Sequence, residues 1–110
     1  MKAEKKRDIF PGALEMMILQ SLRNNPMHGY ALVQHIQRRS EDLLSVEEGS
    51  LYPALQRMLK SGWVEAAWGI SSTNRKVRNY SITPEGEQHL STQVTQFETM
   101  LRGIQLVLAV

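Results

Sequence analysis

The sequence predicts a mainly α-helical domain with one small β-hairpin, followed by a long C-terminal helix. Three observations support this fold class. Three apolar stripes with helical spacing precede residue 62, apolar residues then alternate over two short stretches, and a heptad spacing runs from Leu90 to Leu108. Because the chain has only 110 residues, we expect it to contain one hydrophobic core.

The composition argues against several classes of protein and site. The chain has no cysteine, which excludes disulfide bonds and thiolate zinc sites. His28, His35 and His89 lack the spacing of metal ligands, so we predict neither a metal nor a cofactor. The apolar runs are far shorter than the roughly 18 residues that span a bilayer, and no signal-peptide segment opens the sequence. We therefore expect a cytoplasmic protein with no membrane partner.

The N-terminal part of the sequence combines a charged tail with a first helix. Residues 1–8 mix basic and acidic side chains and are predicted to be a flexible tail, although a basic arm that contacts a polyanion is an alternative. Pro11 can open a helix in which Leu14 and Ile18 repeat at helical spacing. The Asn-Asn-Pro sequence at residues 24–26 then ends that helix.

A second helix is predicted from about His28 to Arg39, with Leu32 and Ile36 one turn apart. Gly29 near its start permits the close approach of another part of the chain. His28 stands where the first backbone N–H groups of the helix point outward. It is therefore either a phosphate contact or a capping or packed histidine, and the sequence leaves these alternatives open.

The third predicted helix, at about residues 50–61, has two faces of different chemistry. Leu51 and Met58 follow helical spacing on one face. At about 100° per residue, amide, guanidinium, ammonium and phenol groups gather away from that stripe, with no acid among them. Pro53 is expected in a first turn, which makes Ser50 the expected N-cap. A short helix with outward donors suits the major groove of DNA, although a solvated polar face is the ordinary alternative.

After the third helix, the pattern changes from helical spacing to alternation. Ala66 and Trp68 share one face of a first predicted strand, and Arg78 and Tyr80 share one face of a second. The connecting segment at residues 69–76 is polar and ends in Asn-Arg-Lys. The net charge of the whole chain is only +2, but positive charge gathers in this predicted hairpin loop, which is otherwise an ordinary solvated turn.

Three helices followed by a hairpin with a basic tip form the order of a winged helix-turn-helix domain, to which we assign residues 9–83. In that fold the third helix enters the major groove and the hairpin lies along the phosphate backbone. The residues predicted to contact double-stranded DNA are Ser50, Tyr52, Gln56, Arg57, Lys60, Asn74, Arg75, Lys76, Arg78 and His28.

Two other functional classes are less consistent with these residues. A winged-helix protein-interaction module without DNA binding is the alternative, but such a module has no reason to keep its hairpin loop free of acids. The sequence contains no Gly-rich phosphate loop, no Gly-x-Ser-x-Gly elbow and no His-Glu-x-x-His motif. We therefore predict no enzymatic activity and assign no catalytic residue.

Residues 84–110 are predicted to form a long helix, with Thr83 as N-cap and Pro84 in the first helical position. A heptad spacing relates six apolar residues: Leu90, Val94, Phe97, Leu101, Ile104 and Leu108. A helix of this length spans about 40 Å, longer than the small domain before it. We therefore predict that these residues form a homodimer interface, and packing against the helix's own domain is the alternative.

Four short motifs carry a resemblance to a known family. They are Pro-Gly-Ala-Leu at 11–14, Pro-Met-His-Gly-Tyr at 26–30, Glu-Gly-Ser-Leu-Tyr-Pro-Ala-Leu at 48–55 and Tyr-Ser-Ile-Thr-Pro-Glu-Gly at 80–86. In this order they resemble the PadR-like family of bacterial transcriptional regulators, specifically its short members with a single C-terminal helix. The resemblance covers residues 9–110.

The resemblance implies a homodimeric repressor that binds an inverted-repeat operator. It also implies, for some members, release from DNA by phenolic acids or other planar aromatic molecules. Phe97, near the middle of the heptad spacing, is the candidate contact for such a small aromatic effector. Ordinary packing in a helix interface is the alternative, and it is the more common role of a lone aromatic residue in a heptad spacing.

Overall fold

The computed structural model describes residues 12–109. Within this range the elements are α1 (Ala13–Leu22), α2 (Gly29–Arg39), α3 (Glu48–Ser61), β1 (Val64–Ile70), β2 (Lys76–Ile82) and α4 (Pro84–Leu108). The predicted fold class is confirmed, because the elements form a mainly α-helical fold with a two-stranded antiparallel hairpin and a long last helix. The predictions for residues 1–8, Pro11 and Val110 concern residues outside the described range.

One cluster of buried apolar side chains joins the three short helices to the hairpin. Leu51, Leu55 and Met58 of α3 are fully buried, as the helical spacing predicted. They pack in one core with Ile18 of α1 and Leu32 of α2, which are equally inaccessible to solvent. Burial of this stripe fixes the rotation of α3 about its own axis, so its opposite face is presented to solvent.

α3 begins two residues earlier than predicted. Its first residue is Glu48 and its N-cap position is Glu47. The Ser50 N–H donates to the Glu47 carbonyl at 2.9 Å, which places Ser50 inside the first turn. The prediction of Ser50 as N-cap is therefore wrong. Pro53 is tolerated beyond the first turn because the carbonyl that loses its helical donor belongs to the exposed Gly49, where water can replace that donor.

In the hairpin, the side chains predicted to share a face do so. β1 and β2 pair antiparallel, with Ala66 opposite Tyr80 and Trp68 opposite Arg78. The connecting loop is residues 71–75, shorter than the predicted 69–76. On its outer edge, β2 is bridged by Met27, which donates to the Tyr80 carbonyl at 3.1 Å and accepts from the Tyr80 N–H at 2.8 Å. This bridge ties the hairpin to the segment just before α2.

α4 begins as predicted, with Thr83 as N-cap and Pro84 as its first residue. The Thr83 hydroxyl accepts from the Gly86 N–H at 2.9 Å and donates to the Gly62 carbonyl at 2.6 Å. Beside it, the rings of Trp63 and His89 stack with their centroids 3.5 Å apart. Burial lowers the pKa of the His89 imidazole, and the charge of Glu15 partly opposes that effect. Several contacts therefore join the end of α3 to the start of α4.

The two halves of α4 differ in their surroundings. Leu90 is 3% exposed and belongs to the core, and Val94 packs against that core. Farther along, Leu101 and Ile104 are about two-fifths exposed, and Leu108 is 71% exposed. The assignment of Leu90 to a dimer interface is therefore corrected, since its side chain is already buried within its own chain. Packing against the helix's own domain, the alternative, therefore holds for the first half, and the dimer interface stays a prediction for the second half.

Candidate nucleic-acid interface

The solvent-facing side of α3 is formed by residues opposite the buried leucine stripe. Gln56 and Lys60 lie one turn apart on this side, and both are exposed. Gly49 and Pro53 continue the same face toward the start of the helix, and they are exposed as well. Glycine and proline project little from the helix, so the N-terminal part of this face carries no long side chain. Its C-terminal part presents an amide and an ammonium group. Such groups can donate to base edges and phosphates.

Arg57 is placed differently from the sequence prediction. Its guanidinium donates to the Glu15 carboxylate of α1 at 3.1 Å, and these two groups form an ion pair. The reason is geometric, because the step of about 100° from Gln56 to Arg57 turns the side chain away from the outward face and toward α1. Arg57 therefore joins two helices of its own chain, and we no longer expect it to contact the major groove.

Tyr52 lies at the edge of the outward face and rests on the start of α2. A Cβ atom added to Gly29 would be 2.5 Å from the Tyr52 hydroxyl oxygen. The ring therefore occupies the space that the missing side chain of Gly29 leaves open. Burial raises the pKa of the Tyr52 hydroxyl, and the charge of Glu48 adds to this effect. The hydroxyl stays protonated at neutral pH and is available as a hydrogen-bond donor to an anion.

His28 is the N-cap residue of α2. Its Nδ1 atom accepts from the Ala31 N–H at 3.3 Å. Of the alternatives that the sequence left open, capping is thus the contact made within the chain. Ser50, by comparison, is exposed in the first turn of α3.

A cleft of about 740 Å³ lies between α2, α3 and the hairpin. His28 and Tyr52 line it from the helices, and Arg75, Lys76 and Arg78 line it from the hairpin. The cleft therefore brings together five residues that the sequence predicted to contact DNA from three separate segments. No acidic side chain lines it among the described residues, so its charged groups are all basic.

The hairpin loop has a defined conformation. The Asn74 N–H donates to the Ser71 carbonyl at 2.9 Å, and the Arg75 N–H donates to the Ser71 hydroxyl at 3.1 Å. Asn74 has a φ of 63°, in the left-handed region that asparagine tolerates better than most residues. Asn74 thus has a structural reason to be present, independent of any contact with DNA, and it shapes the loop that carries Arg75.

Comparison with known proteins places this arrangement in a family. The model of the transcriptional regulator PadR-like family matches residues 18–92, which is more than half of the chain. This chain belongs to the PadR-like family. Members are DNA-binding transcriptional regulators rather than enzymes, and the match covers the second half of α1, all of α2, α3 and the hairpin, and the first part of α4.

Individual relatives agree with the family match. The fold of this PadR-like protein is similar to that of a transcriptional regulator from Clostridium thermocellum, with a TM-score of 0.81, 26% identity and coverage of 90% of this chain and 96% of that one. A PadR-like transcriptional regulator from Bacillus cereus has a TM-score of 0.76 and 28% identity, covering 91% and 95%. An uncharacterized protein of Lysinibacillus sphaericus is 31% identical over 101 residues, or 92% and 93% of the two chains.

Sequence reasoning did not single out several exposed residues in or near the cleft of this PadR-like regulator. Tyr30 and Gln34 of α2 are exposed and line the cleft. They were missed because helical spacing alone does not distinguish them from other surface positions. Trp68 is exposed on β1, and the Lys76 ammonium lies 4.9 Å from its ring centroid. The length of the predicted strands could have shown that Trp68 is exposed. When apolar alternation continues beyond the core, the last apolar residues of a strand are left uncovered.

The described part of the chain lacks two kinds of feature. Residues 12–109 contain no group of three or more histidine, cysteine, aspartate or glutamate side chains placed to hold a metal ion. Across the same residues, none of the helices combines the length and the apolar character needed to cross a membrane.

Proposed function

We propose that this PadR-like regulator is a homodimeric repressor that binds an inverted-repeat operator. In this proposal α3 enters the major groove and the hairpin lies along the adjacent phosphate backbone. The observation that carries the proposal is the acid-free cleft, which is lined by Tyr52 of α3 and the α2 N-cap His28 on one side and by Arg75 and Arg78 of the hairpin on the other. Resemblance to the PadR-like family supports repression as the mode of regulation.

The hairpin supports this proposal through its charge. Arg75, Lys76 and Arg78 are all exposed, and the sequence contains no aspartate or glutamate between Glu65 and Glu85. Exposed bases without acidic partners can neutralise phosphates and release counterions. A protein-interaction module, the alternative function, gains nothing from a segment of this length without acids, so the charge pattern favours DNA as the partner.

The second half of α4 supports the homodimer. At about 100° per residue, six of its seven large apolar side chains gather within roughly one third of the helix circumference, and Leu106 lies on the opposite side. The six are Phe97, Met100, Leu101, Ile104, Val107 and Leu108. All but the partly buried Phe97 are exposed in the single chain. A second copy that packs the same face against this one buries both stripes around a twofold axis.

Two variants test the separate roles proposed for Gln56 and Lys60 of α3. We expect Gln56→Ala to relax the preference for one base pair by about 1–3 kcal/mol, because its amide can bond a base edge. We expect Lys60→Ala to weaken binding to all sequences alike and to lower the salt slope by about one, because its ammonium neutralises one phosphate. Binding to genomic fragments, selected first with the wild-type protein, measures both effects.

Arg57→Ala is the matched control, since Arg57 lies next to Gln56 but pairs with Glu15. It should leave both the base preference and the salt slope of DNA binding unchanged. Equal losses on every sequence for Gln56→Ala and Lys60→Ala would contradict the assignment of α3 to the major groove. A selected operator without twofold symmetry would contradict the inverted repeat.

We also propose that Phe97 contacts a small aromatic effector. Phe97 lines a groove of about 170 Å³ between α1 and α4, together with Met16 and Met100. This volume is close to that of cavities of about 150 Å³ that hold a benzene ring. In the proposed dimer the groove lies beside the interface, so a planar ligand there can alter the spacing of the two α3 helices.

The effector proposal is tested with Phe97→Leu. This change keeps an apolar side chain in the interface but removes the ring, so operator affinity and dimer formation should be retained. Release of the operator by phenolic or planar aromatic compounds should be lost or weakened, and titrations of the operator complex with such compounds measure it. If Phe97→Leu leaves release by every active compound unaltered, Phe97 has no effector role.

A further inference from the structure

Trp68 is a large side chain that the function proposed above does not use. It is 66% exposed, although it shares one face of the hairpin with Ala66 and the buried Tyr80. The next residue of β1 on that face, Ile70, is also 66% exposed. The hairpin therefore extends beyond the core and carries a small apolar patch at its outer end. Packing within the described chain does not account for this patch.

Basic groups frame this patch. The Lys76 ammonium lies 4.9 Å from the centroid of the Trp68 ring, within the range of a cation–π interaction. Arg78 pairs directly opposite Trp68 across the hairpin, and Lys76 pairs opposite Ile70. Since the sequence has no acid between Glu65 and Glu85, the partner that complements the patch is a polyanion that also has apolar surface. Duplex DNA meets both conditions, with phosphates beside deoxyribose rings.

We propose that Trp68 is a DNA-contacting residue, with its indole lying flat against the deoxyribose wall of the minor groove. Lys76 and Arg78 then bind the phosphates on either side. This inference rests on the proposed function, in which the hairpin lies beside DNA. Because the Lys76 ammonium covers one face of the ring, one face remains for DNA, whereas insertion between base pairs requires both. Contact with sugars adds affinity without reading the base sequence.

Fluorescence tests the contact directly, because the chain has two tryptophans. Trp63→Phe leaves Trp68 as the sole reporter, and Trp68→Phe leaves Trp63, which stacks on His89 at the junction of α3 and α4. A mixed-sequence duplex is added at low salt and quenching by acrylamide is measured. We expect DNA to shield Trp68 from acrylamide in the first protein and to leave the quenching of Trp63 unchanged in the second.

Affinity provides an independent measurement. Trp68→Ala should weaken binding to all duplexes alike by about fivefold, the lower end of the range for an aromatic residue stacked on a base. The slope of log affinity against log salt should stay unchanged, because no phosphate contact is removed. Trp68→Phe keeps an aromatic ring at the same position and should bind within about threefold of wild type.

The outcomes separate this inference from the proposed function. If the duplex binds and acrylamide quenching of Trp68 does not change, or if Trp68→Ala binds as tightly as wild type, Trp68 makes no contact although the protein binds DNA. If no duplex binds at all, both the contact and the proposed function are wrong. Unwinding of a closed plasmid in a topoisomerase assay would show insertion between base pairs and overturn the flat packing.

Discussion

At Gly29 and Gly86 the chain passes so close to a neighbouring group that a methyl group has no room. An added Cβ at Gly86 would overlap the backbone carbonyl oxygen of Trp63, and one at Gly29 would meet the ring and hydroxyl of Tyr52. A backbone carbonyl cannot move without disturbing the junction of α3 and α4, whereas a side chain at the surface can rotate away. The same substitution therefore has different consequences at the two positions.

We expect Gly86→Ala to lower the free energy of unfolding by about 1–3 kcal/mol, as overpacking does in a tight site. Gly103→Ala is the control, because no atom lies within 4 Å of an added Cβ there. Alanine should stabilise that exposed helix position by up to about 1 kcal/mol. Urea denaturation followed by circular dichroism measures both. Equal stability of the two variants would contradict the close packing at Gly86.

Gly29→Ala should instead change binding more than stability. The ring of Tyr52 must leave its position over α2, while alanine gives the first turn of α2 a better helix former. We expect a free energy of unfolding within about 1 kcal/mol of wild type and a weaker complex with every duplex, measured by fluorescence anisotropy. Tyr52→Phe in the same assay separates loss of the hydroxyl from displacement of the ring. Unaltered affinity for DNA in Gly29→Ala would show that Tyr52 lies outside the contact surface.

The sequence predicted which side chains are buried where helical spacing determines their burial. It did not predict side-chain contacts that depend on a residue far away in the sequence. The burial of Leu51, Leu55 and Met58 followed from their spacing. The pairing of Arg57 with Glu15 did not, because these residues are 42 positions apart and no local pattern links them. For the same reason, the ring of Tyr52 could be placed at the edge of a face but not over Gly29.

At the scale of elements, Thr83 is the residue that holds the two functional helices together. Its hydroxyl caps α4 through Gly86 and donates to the Gly62 carbonyl at the end of α3. The Thr83 N–H donates to the Trp63 carbonyl at 3.1 Å as well. The start of α4 was predictable, because threonine followed by proline is a typical helix opening. The bond to Gly62 was not, because it joins residues 21 positions apart.

Thr83→Val keeps the shape of the side chain but removes its hydroxyl. We expect it to lower the free energy of unfolding by about 1–3 kcal/mol, since a helix cap is lost and the Gly62 carbonyl loses its donor. Thr83→Ser retains the hydroxyl and should lose less than about 1 kcal/mol. Thermal and urea unfolding of the two variants distinguishes them. Indistinguishable unfolding curves would show that neither hydrogen bond contributes to stability.

The sequence also predicted the boundaries of elements unevenly. The proline rule placed the start of α3 too late, because a proline can lie deeper in a helix when the carbonyl it deprives faces water. The heptad spacing of α4 correctly identified its apolar residues but could not show that Leu90 is buried against the chain's own core. The spacing of apolar residues shows which side of a helix is apolar. Only tertiary packing shows what covers each part of that side.

At the scale of the whole molecule, α4 makes the structure longer than a compact chain of this size. The Cα radius of gyration is 15.5 Å, compared with about 13 Å expected for a compact domain of similar length. The principal extents of 54, 42 and 24 Å show the same elongation. α4 makes its main contacts with α1, and its C-terminal half extends past them with its apolar face exposed. The winged domain thus has a core of its own, and the projecting helix is available to a second copy.

The oligomer is tested with a charge in this projecting face. Leu101 is 39% exposed, so Leu101→Lys disturbs little in the single chain but places an unpaired ammonium in the proposed interface, where its burial is costly. We expect monomers by sedimentation and much weaker binding to a symmetric operator, because each half-site is then bound separately. Thr99→Lys adds the same charge roughly on the opposite side of α4 and should remain dimeric. Dimers of Leu101→Lys with wild-type operator affinity would mean that the two copies pair through another surface.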